Sequence, residues 1–128
     1  MINVLLVGLG SALGGMARFG VALACTARYG TGFPYGTLLA NVTGSFLIGV
    51  IFSLTGTDGK WPLQDGGKFF FMTGLMGGYT TFSAFSLEAV NLLKDGQNAA
   101  AAFYVGLSLV FCLVGAWLGL TLGQTMSR

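Results

Sequence analysis

Apolar residues along the chain fall into four long stretches separated by short polar segments. Each stretch is long enough to cross a bilayer as a helix, which takes about 20 residues. Proline precedes the second and third stretches, as suits a helix start, and Asp95-Gly96 follows the third, as suits a stop. We therefore expect an all-α membrane protein in which residues 1–128 form a single four-helix transmembrane domain. The predicted spans are approximately 2–26, 34–55, 64–94 and 98–123, with both termini on one side of the membrane.

The third stretch contains the segment GLMGGYTTFSAF, residues 74–85, which is a poor sequence for a helix that faces lipid. Irregular backbone at membrane depth is tolerated only where it is buried in protein or lines a cavity. Such backbone exposes carbonyl groups that can hold a cation and amide groups that can hold an anion. The sequence therefore predicts that the third helix is broken mid-membrane at GGYTT. A kinked but continuous helix is the alternative.

Composition agrees with a multi-pass membrane protein. The chain is 54% hydrophobic and 8% charged, with a mean hydropathy of +0.78, whereas a soluble domain carries about 25% charged residues. The net charge of +2 is too small and scattered to indicate nucleic acid binding, and the lack of histidine excludes imidazole metal sites. Cys25 and Cys112 lie far apart without a CxxC motif and are expected to be free thiols. The N-terminal apolar run lacks a positive start, so we interpret it as the first span rather than a signal peptide.

Positive charges are nearly balanced between the two sides of the predicted bundle. The side with the termini and the second loop carries Lys60, Lys68 and Arg128, and the other side carries Arg18, Arg28 and Lys94. Because the Lys/Arg bias normally fixes orientation in the membrane, such a chain can insert either way up. An antiparallel homodimer is therefore possible. The alternative is that a small remaining bias still selects one orientation.

Two predicted helices carry polar stripes at a spacing of four residues. Thr37, Asn41 and Ser45 share one face of the second span, and Tyr104, Ser108 and Cys112 share one face of the fourth. Single hydroxyls can return their hydrogen bonds to the helix backbone, so Ser45 and Ser108 taken alone are expected to be structural. An amide in the bilayer is costly without a partner. Asn41 therefore has either a functional role or a helix–helix contact, and the sequence leaves both open.

Small residues also repeat every four positions. Gly36, Ala40 and Gly44 lie beside the polar stripe of the second span, and Gly115, Gly119 and Gly123 form a ridge on the fourth. Small residues let membrane helices approach closely, so we expect both sets to be packing surfaces.

Two phenylalanines follow the predicted break. Phe82 and Phe85 are spaced i, i+3, and Glu88 follows on a nearby face. Core packing is the ordinary role of such rings. Their edges are electropositive, however, so two edges beside a narrow path could attract an anion without a formal charge. A full charge there would hold an anion too tightly for conduction.

Three motifs together resemble the Fluc family of microbial fluoride channels, also called CrcB. They are GGMARF at 14–19, PYGTLLANVTGSFLIG at 34–49 and GLMGGYTTFSAFSLE at 74–88. The resemblance covers nearly the whole chain and implies a fluoride-selective channel rather than an enzyme. It implies passive export of F⁻ across the bacterial cytoplasmic (inner) membrane, which protects the cell from fluoride. It also implies an antiparallel, dual-topology homodimer with two pores and a central structural Na⁺.

The resemblance also assigns roles to particular residues. The implied pore residues are Asn41 as an amide donor, Phe82 and Phe85 as aromatic edges, Ser83 beside them, and Thr37, Tyr104 and Ser108 as further polar groups. Arg18 and Glu88 are implied at an aqueous vestibule. Gly77 and Thr80 would supply backbone carbonyls to Na⁺, and Gly77 is expected to permit a backbone geometry that a side chain would obstruct. Ala84 departs from the family, since many relatives carry threonine or serine there.

Two other classes of protein remain as alternatives. A small dual-topology multidrug transporter also has four short spans, but it needs a membrane-embedded carboxylate in its first span, and this chain has none there. A structural membrane protein would explain the glycine ridges. It would not explain Asn41 together with a broken third span.

Overall fold

The computed structural model describes residues 1–128, and these residues form helices joined by loops, without strands. The helices are α1 (Ile2–Tyr29), α2 (Tyr35–Thr55), α3 (Asp65–Lys68), a π-helix (Phe69–Met76), α4 (Gly77–Tyr79), α5 (Phe82–Lys94) and α6 (Asn98–Ser127). The prediction of an all-helical chain is confirmed, and the elements fit four helical passes.

The outer surface is apolar along the long helices. By length and composition α1, α2 and α6 are each able to cross a membrane. Large apolar side chains cover their outer faces: Val4 is 74% exposed, Leu113 72% and Trp117 63%. Such a surface suits lipid, and the helices satisfy their own backbone hydrogen bonds. The chain is therefore a multi-pass membrane protein.

The third apolar stretch is not one continuous α-helix. The π-helix runs directly into α4, and the helical ladder then stops at Thr80 and Thr81. Both residues have extended backbone, with φ, ψ of −87°, 160° and −154°, 127°. Helical geometry resumes at Phe82. We call Thr80 and Thr81 the interruption.

Two long helices extend beyond the predicted spans. α1 continues from the expected end near residue 26 to Tyr29, and α6 continues from residue 123 to Ser127. Apolarity marks the membrane crossing, whereas a helix ends where its backbone conformation changes. For α1 that point is Gly30, whose φ of 78° is strained for other residues and whose N–H bonds to the Thr26 carbonyl.

Glycine brings the helix backbones together. A Cβ on Gly119 of α6 would collide with the Phe46 carbonyl of α2 and lie 3.1 Å from the Val50 nitrogen. A Cβ on Gly14 of α1 would lie 2.7 Å from the Tyr79 nitrogen of α4. Only a residue without a side chain allows these approaches. The prediction that the α6 glycines form a packing surface is confirmed.

We predicted that Gly77 permits a backbone geometry that a side chain would obstruct, and within this chain that prediction is wrong. Gly77 has ordinary helical backbone, with φ −62° and ψ −36°, and an added Cβ would find no atom nearer than the Met72 oxygen at 3.9 Å. The neighbouring Gly78 is the constrained position, because a Cβ there would lie 2.7 Å from Ser11 Cα. The physical reason is that the backbone departs from the helix only at Thr80, three residues later.

Candidate functional site

A cleft of about 430 Å³ lies where α2, the interruption and α6 meet. We call it the central cleft. No charged side chain lines it. Six of the predicted site residues do: Asn41, Gly77, Thr80, Phe82, Phe85 and Ser108. Ser45 and Cys112 from the two polar stripes also line it, and Met72 and Met76 contribute apolar wall.

Asn41 joins α2 to the interruption through two hydrogen bonds with one residue. The Thr81 N–H donates to Asn41 Oδ1 at 2.7 Å, and Asn41 Nδ2 donates to the Thr81 carbonyl at 2.9 Å. One side-chain amide thus satisfies both polar backbone groups of a residue that lies outside the helical ladder. The helix–helix alternative for Asn41 is therefore present in the structure. One Nδ2 hydrogen remains for another acceptor, so a pore role stays a prediction.

Thr81 also begins the next helix. Its Oγ1 accepts a hydrogen bond from the Ala84 N–H at 3.2 Å, which is the usual N-cap arrangement. Ser83 Oγ lies 3.3 Å from the same oxygen and does not line the central cleft. Because Thr81 and Phe82 both line the cleft, the electropositive N-terminus of α5 opens onto it.

The Asn41–Thr81 pair and the Thr81 N-cap take N–H donors away from two backbone carbonyls, those of Gly77 and Thr80. In an uninterrupted helix the Gly77 carbonyl would accept from the Thr81 N–H, which here donates to Asn41. The Thr80 carbonyl would likewise accept from the Ala84 N–H, which here donates to the Thr81 hydroxyl. The residues whose carbonyls were expected to hold Na⁺ are therefore the two that lose these helical donors.

Phe82 and Phe85 lie in different environments. Their ring centroids are 5.4 Å apart, yet Phe82 is 75% exposed whereas Phe85 is 8% exposed. Phe85 also packs on Tyr104, with 5.2 Å between ring centroids. Phe85 therefore belongs to the packed core at the base of the cleft, and Phe82 stands at its open side.

Glu88 joins α5 to both neighbouring helices. Its carboxylate accepts from Thr37 Oγ1 at 2.8 Å and from the Tyr104 hydroxyl at 2.6 Å. Thr37 and Tyr104 were predicted in the pore and Glu88 in a vestibule, but the structure brings the three together in one cluster. Thr37 and Glu88 line a second, polar pocket of about 330 Å³ that reaches Asp95. None of the three lines the central cleft.

Arg18 lies on the other side of the interruption. Its Nε donates to the Gly78 carbonyl at 3.2 Å, so α1 is tied to the turn that precedes Thr80. Sequence reasoning missed this partner and also missed the role of Thr81. The N-cap of Thr81 had a local signal, since a threonine before a resumed helical pattern is a common cap. The Arg18 and Asn41 partners, 60 and 40 residues away, had none.

Comparison with known proteins gives consistent matches over almost the whole chain. The sequence model of the family described as CrcB-like protein, Camphor Resistance (CrcB) matches residues 5–120. A protein of Methylocella silvestris is 48% identical over 118 residues, which cover 92% of this chain and 90% of the relative. One from Opitutus terrae is 48% identical over 115 residues, covering 90% and 87%. One from Rhodospirillum rubrum is 46% identical over 118 residues, covering 92% of each. All three are named fluoride-specific ion channel FluC.

Replacing Asn41 by alanine should destabilise the fold more than replacing Ser45. Asn41→Ala leaves the Thr81 N–H and carbonyl without their partner, at a cost of about 1–3 kcal/mol for each group that stays unpaired. Ser45→Ala is the matched control, because Ser45 lies one turn further on the same face, lines the same cleft and makes no side-chain hydrogen bond. Thermal unfolding of the purified variants in detergent measures the difference. Equal melting temperatures would show that the Asn41–Thr81 pair does not hold the interruption.

Proposed function

Because the chain belongs to the CrcB family, as its motifs predicted, we propose that it is a fluoride channel that lets F⁻ leave the cell passively. A channel carries out no chemical conversion, and the prediction that the chain is not an enzyme is confirmed by the family. The proposed location is the bacterial cytoplasmic (inner) membrane. HF enters a cell in acid surroundings and dissociates to trapped F⁻ inside, so passive export protects the cell.

The chemistry of the central cleft carries this proposal. Fluoride is small and strongly hydrated, and a pore must replace its water with other donors. The residues that line the cleft carry the remaining Asn41 Nδ2 hydrogen, the Ser108 hydroxyl, the N-terminus of α5 and the rings of Phe82 and Phe85. None of these carries a full charge, so the path would attract an anion and still release it.

One subunit leaves the cleft open, which favours a dimer. Phe82 is 75% exposed at the open side, and an isolated chain offers it no covering helix. The nearly balanced positive charges favour insertion in both orientations. We therefore propose an antiparallel, dual-topology homodimer in the lipid bilayer. Each subunit crosses the membrane four times as one domain, with the interruption at mid-membrane, and the dimer contains two pores.

The multidrug-transporter alternative has less support. α1 contains no acidic residue, and the one carboxylate in α5, Glu88, is already hydrogen-bonded to Thr37 and Tyr104. A cationic drug that bound the Glu88 carboxylate would have to displace the hydroxyls of Thr37 and Tyr104.

Purified protein in liposomes should release fluoride, and either Phe82→Ile or Phe85→Ile should reduce the flux about tenfold or more. Isoleucine keeps apolar bulk and removes the positive ring edge. A fluoride electrode outside liposomes loaded with potassium fluoride measures the release. Phe103→Ile is the matched control, because Phe103 is similarly exposed, at 67%, on α6 away from the cleft. No flux from the native protein would refute the channel. Full flux from both cleft variants would reassign the two rings to packing.

A tag at the C-terminus should be accessible from both sides of the membrane in intact cells. With no charge preference, about half of the chains should insert in each orientation. A membrane-impermeant label applied to intact cells and then to permeabilised cells measures the two fractions. Adding two lysines after Arg128 should shift the labelled fraction towards one side. Labelling of the unmodified chain from one side only would contradict the antiparallel dimer.

We also propose that a structural Na⁺ sits at the centre of the dimer. The support is that the Gly77 and Thr80 carbonyls lose their helical donors, and that both residues line the central cleft. In an antiparallel dimer the two-fold axis would bring two such pairs together and give four oxygens around one point. Four carbonyl dipoles repel one another unless a cation lies between them. A small hard cation suits neutral oxygen ligands of this kind.

Replacing sodium by N-methylglucamine during purification should reduce both flux and dimer stability. Thr81→Ala should raise the sodium concentration needed for half-maximal flux several-fold, because the Ala84 N–H loses its capping acceptor and becomes free to compete for the Thr80 carbonyl. Thr81→Ser keeps the capping hydroxyl and is the matched control. Flux measured across a sodium titration tests all three proteins. A native protein that conducts equally without sodium would rule out the cation site and leave the channel intact.

A further inference from the structure

We propose that Cys112 is a modification site on the ion path, where a small neutral thiosulfonate or disulfide reversibly closes the channel. The inference rests on the proposed function and adds a means of regulating the same site. Its starting point is a pair of residues one turn apart on α6, Ser108 and Cys112, which both line the central cleft.

Ser108 indicates that the cleft receives a ligand at this depth. Its side chain is 5% exposed, and Oγ has no hydrogen-bond partner within the protein. The hydroxyls of Thr43, Thr55 and Thr121, by contrast, return a bond to a carbonyl of their own helix. A buried hydroxyl without a partner costs free energy, so a donor in this position is best explained by an anion or its water in the cleft.

Cys112 continues the same row of groups. It is a free cysteine, partly exposed, and its S–H is a weak donor. An ion that passes Ser108 along α6 therefore meets the Cys112 thiol next.

Cys25, the chain's other cysteine, provides an internal comparison. It lies on α1, is 8% exposed and lines the second, polar pocket rather than the central cleft. A reagent that blocks flux by modifying the ion path should act through Cys112. Modification of Cys25 should leave the flux unchanged.

The modification is a thiol–disulfide type exchange. The Cys112 thiolate attacks the sulfenyl sulfur of methyl methanethiosulfonate, and a new S–S bond forms as the bond to the sulfonyl sulfur breaks. Methanesulfinate leaves with that electron pair, and the thiol proton passes to water. Cys112 then carries a methylthio group, which dithiothreitol removes.

The methylthio group should close the path because it removes a hydrogen-bond donor, and not only because it adds bulk. It replaces the S–H donor by an apolar methyl one turn from the unpaired Ser108 hydroxyl. A fluoride ion that has given up part of its water would then lack a partner over that turn, and desolvation without replacement is strongly unfavourable.

The experiment measures fluoride release from liposomes before and after treatment with methyl methanethiosulfonate, and mass spectrometry locates the added group. We expect about a tenfold loss of flux in the native protein, restored by dithiothreitol, with the added group on Cys112. Cys25→Ser should conduct normally and remain sensitive. Cys112→Ser should show the same flux before and after the reagent.

The outcomes separate the two proposals. No release from untreated liposomes would overturn the channel and this inference with it. Full release after complete modification of Cys112, or a Cys112 that the reagent does not modify, would overturn the inference alone. Equal loss of flux in Cys112→Ser would place the effect elsewhere and also overturn it.

Discussion

The hydrogen-bonded pair of Asn41 and Thr81 is the interaction on which the site depends. A helix that leaves its ladder at membrane depth must find partners for the polar groups it exposes, because lipid supplies none. Asn41 supplies both partners for one residue, at 2.7 and 2.9 Å. The same bonds withdraw the Thr81 N–H from the Gly77 carbonyl, and the Thr81 cap withdraws the Ala84 N–H from the Thr80 carbonyl. One amide and one hydroxyl therefore take the two expected N–H donors away from the Gly77 and Thr80 carbonyls.

The interruption keeps a defined geometry only if the helices on both sides of it are held in place. Arg18 holds the preceding turn to α1 through the Gly78 carbonyl, and Glu88 holds α5 to α2 and α6 through two hydroxyls. These charged side chains therefore act away from the central cleft and leave its lining neutral. In the proposed channel this separation has an electrostatic advantage, since the charges fix the geometry while weak dipoles would face the ion. A carboxylate in the cleft would repel an anion, and a guanidinium there would retain it.

The sequence predicted the parts of this arrangement that depend on local pattern. Four apolar stretches and the packing role of Gly119 and its neighbours follow from periodicity and residue size. The predicted break at GGYTT is only partly matched, because Gly77–Tyr79 are helical and the extended backbone is limited to Thr80 and Thr81. The partner of Asn41 did not follow, because Thr81 is 40 residues away and an amide can pair with many groups. Gly78 rather than Gly77 is constrained, because the choice between adjacent glycines depends on which one faces Ser11 of α1. The π-helix likewise has no reliable signal in a run of phenylalanines.

The contrast between Phe82 and Phe85 supports the proposal that one chain is only part of the functional unit. The two residues are three positions apart at the start of α5, and their ring centroids are separated by 5.4 Å. Phe85 is fixed by Tyr104, which is itself fully buried and bonded to Glu88. Phe82 has no such support and is 75% exposed. A ring edge can be aimed at an ion only if the ring is held, so Phe82 needs a second surface to pack against. A second copy in the opposite orientation would supply that surface and also bring the two interruptions together, so the same contact would complete both the anion path and the cation site.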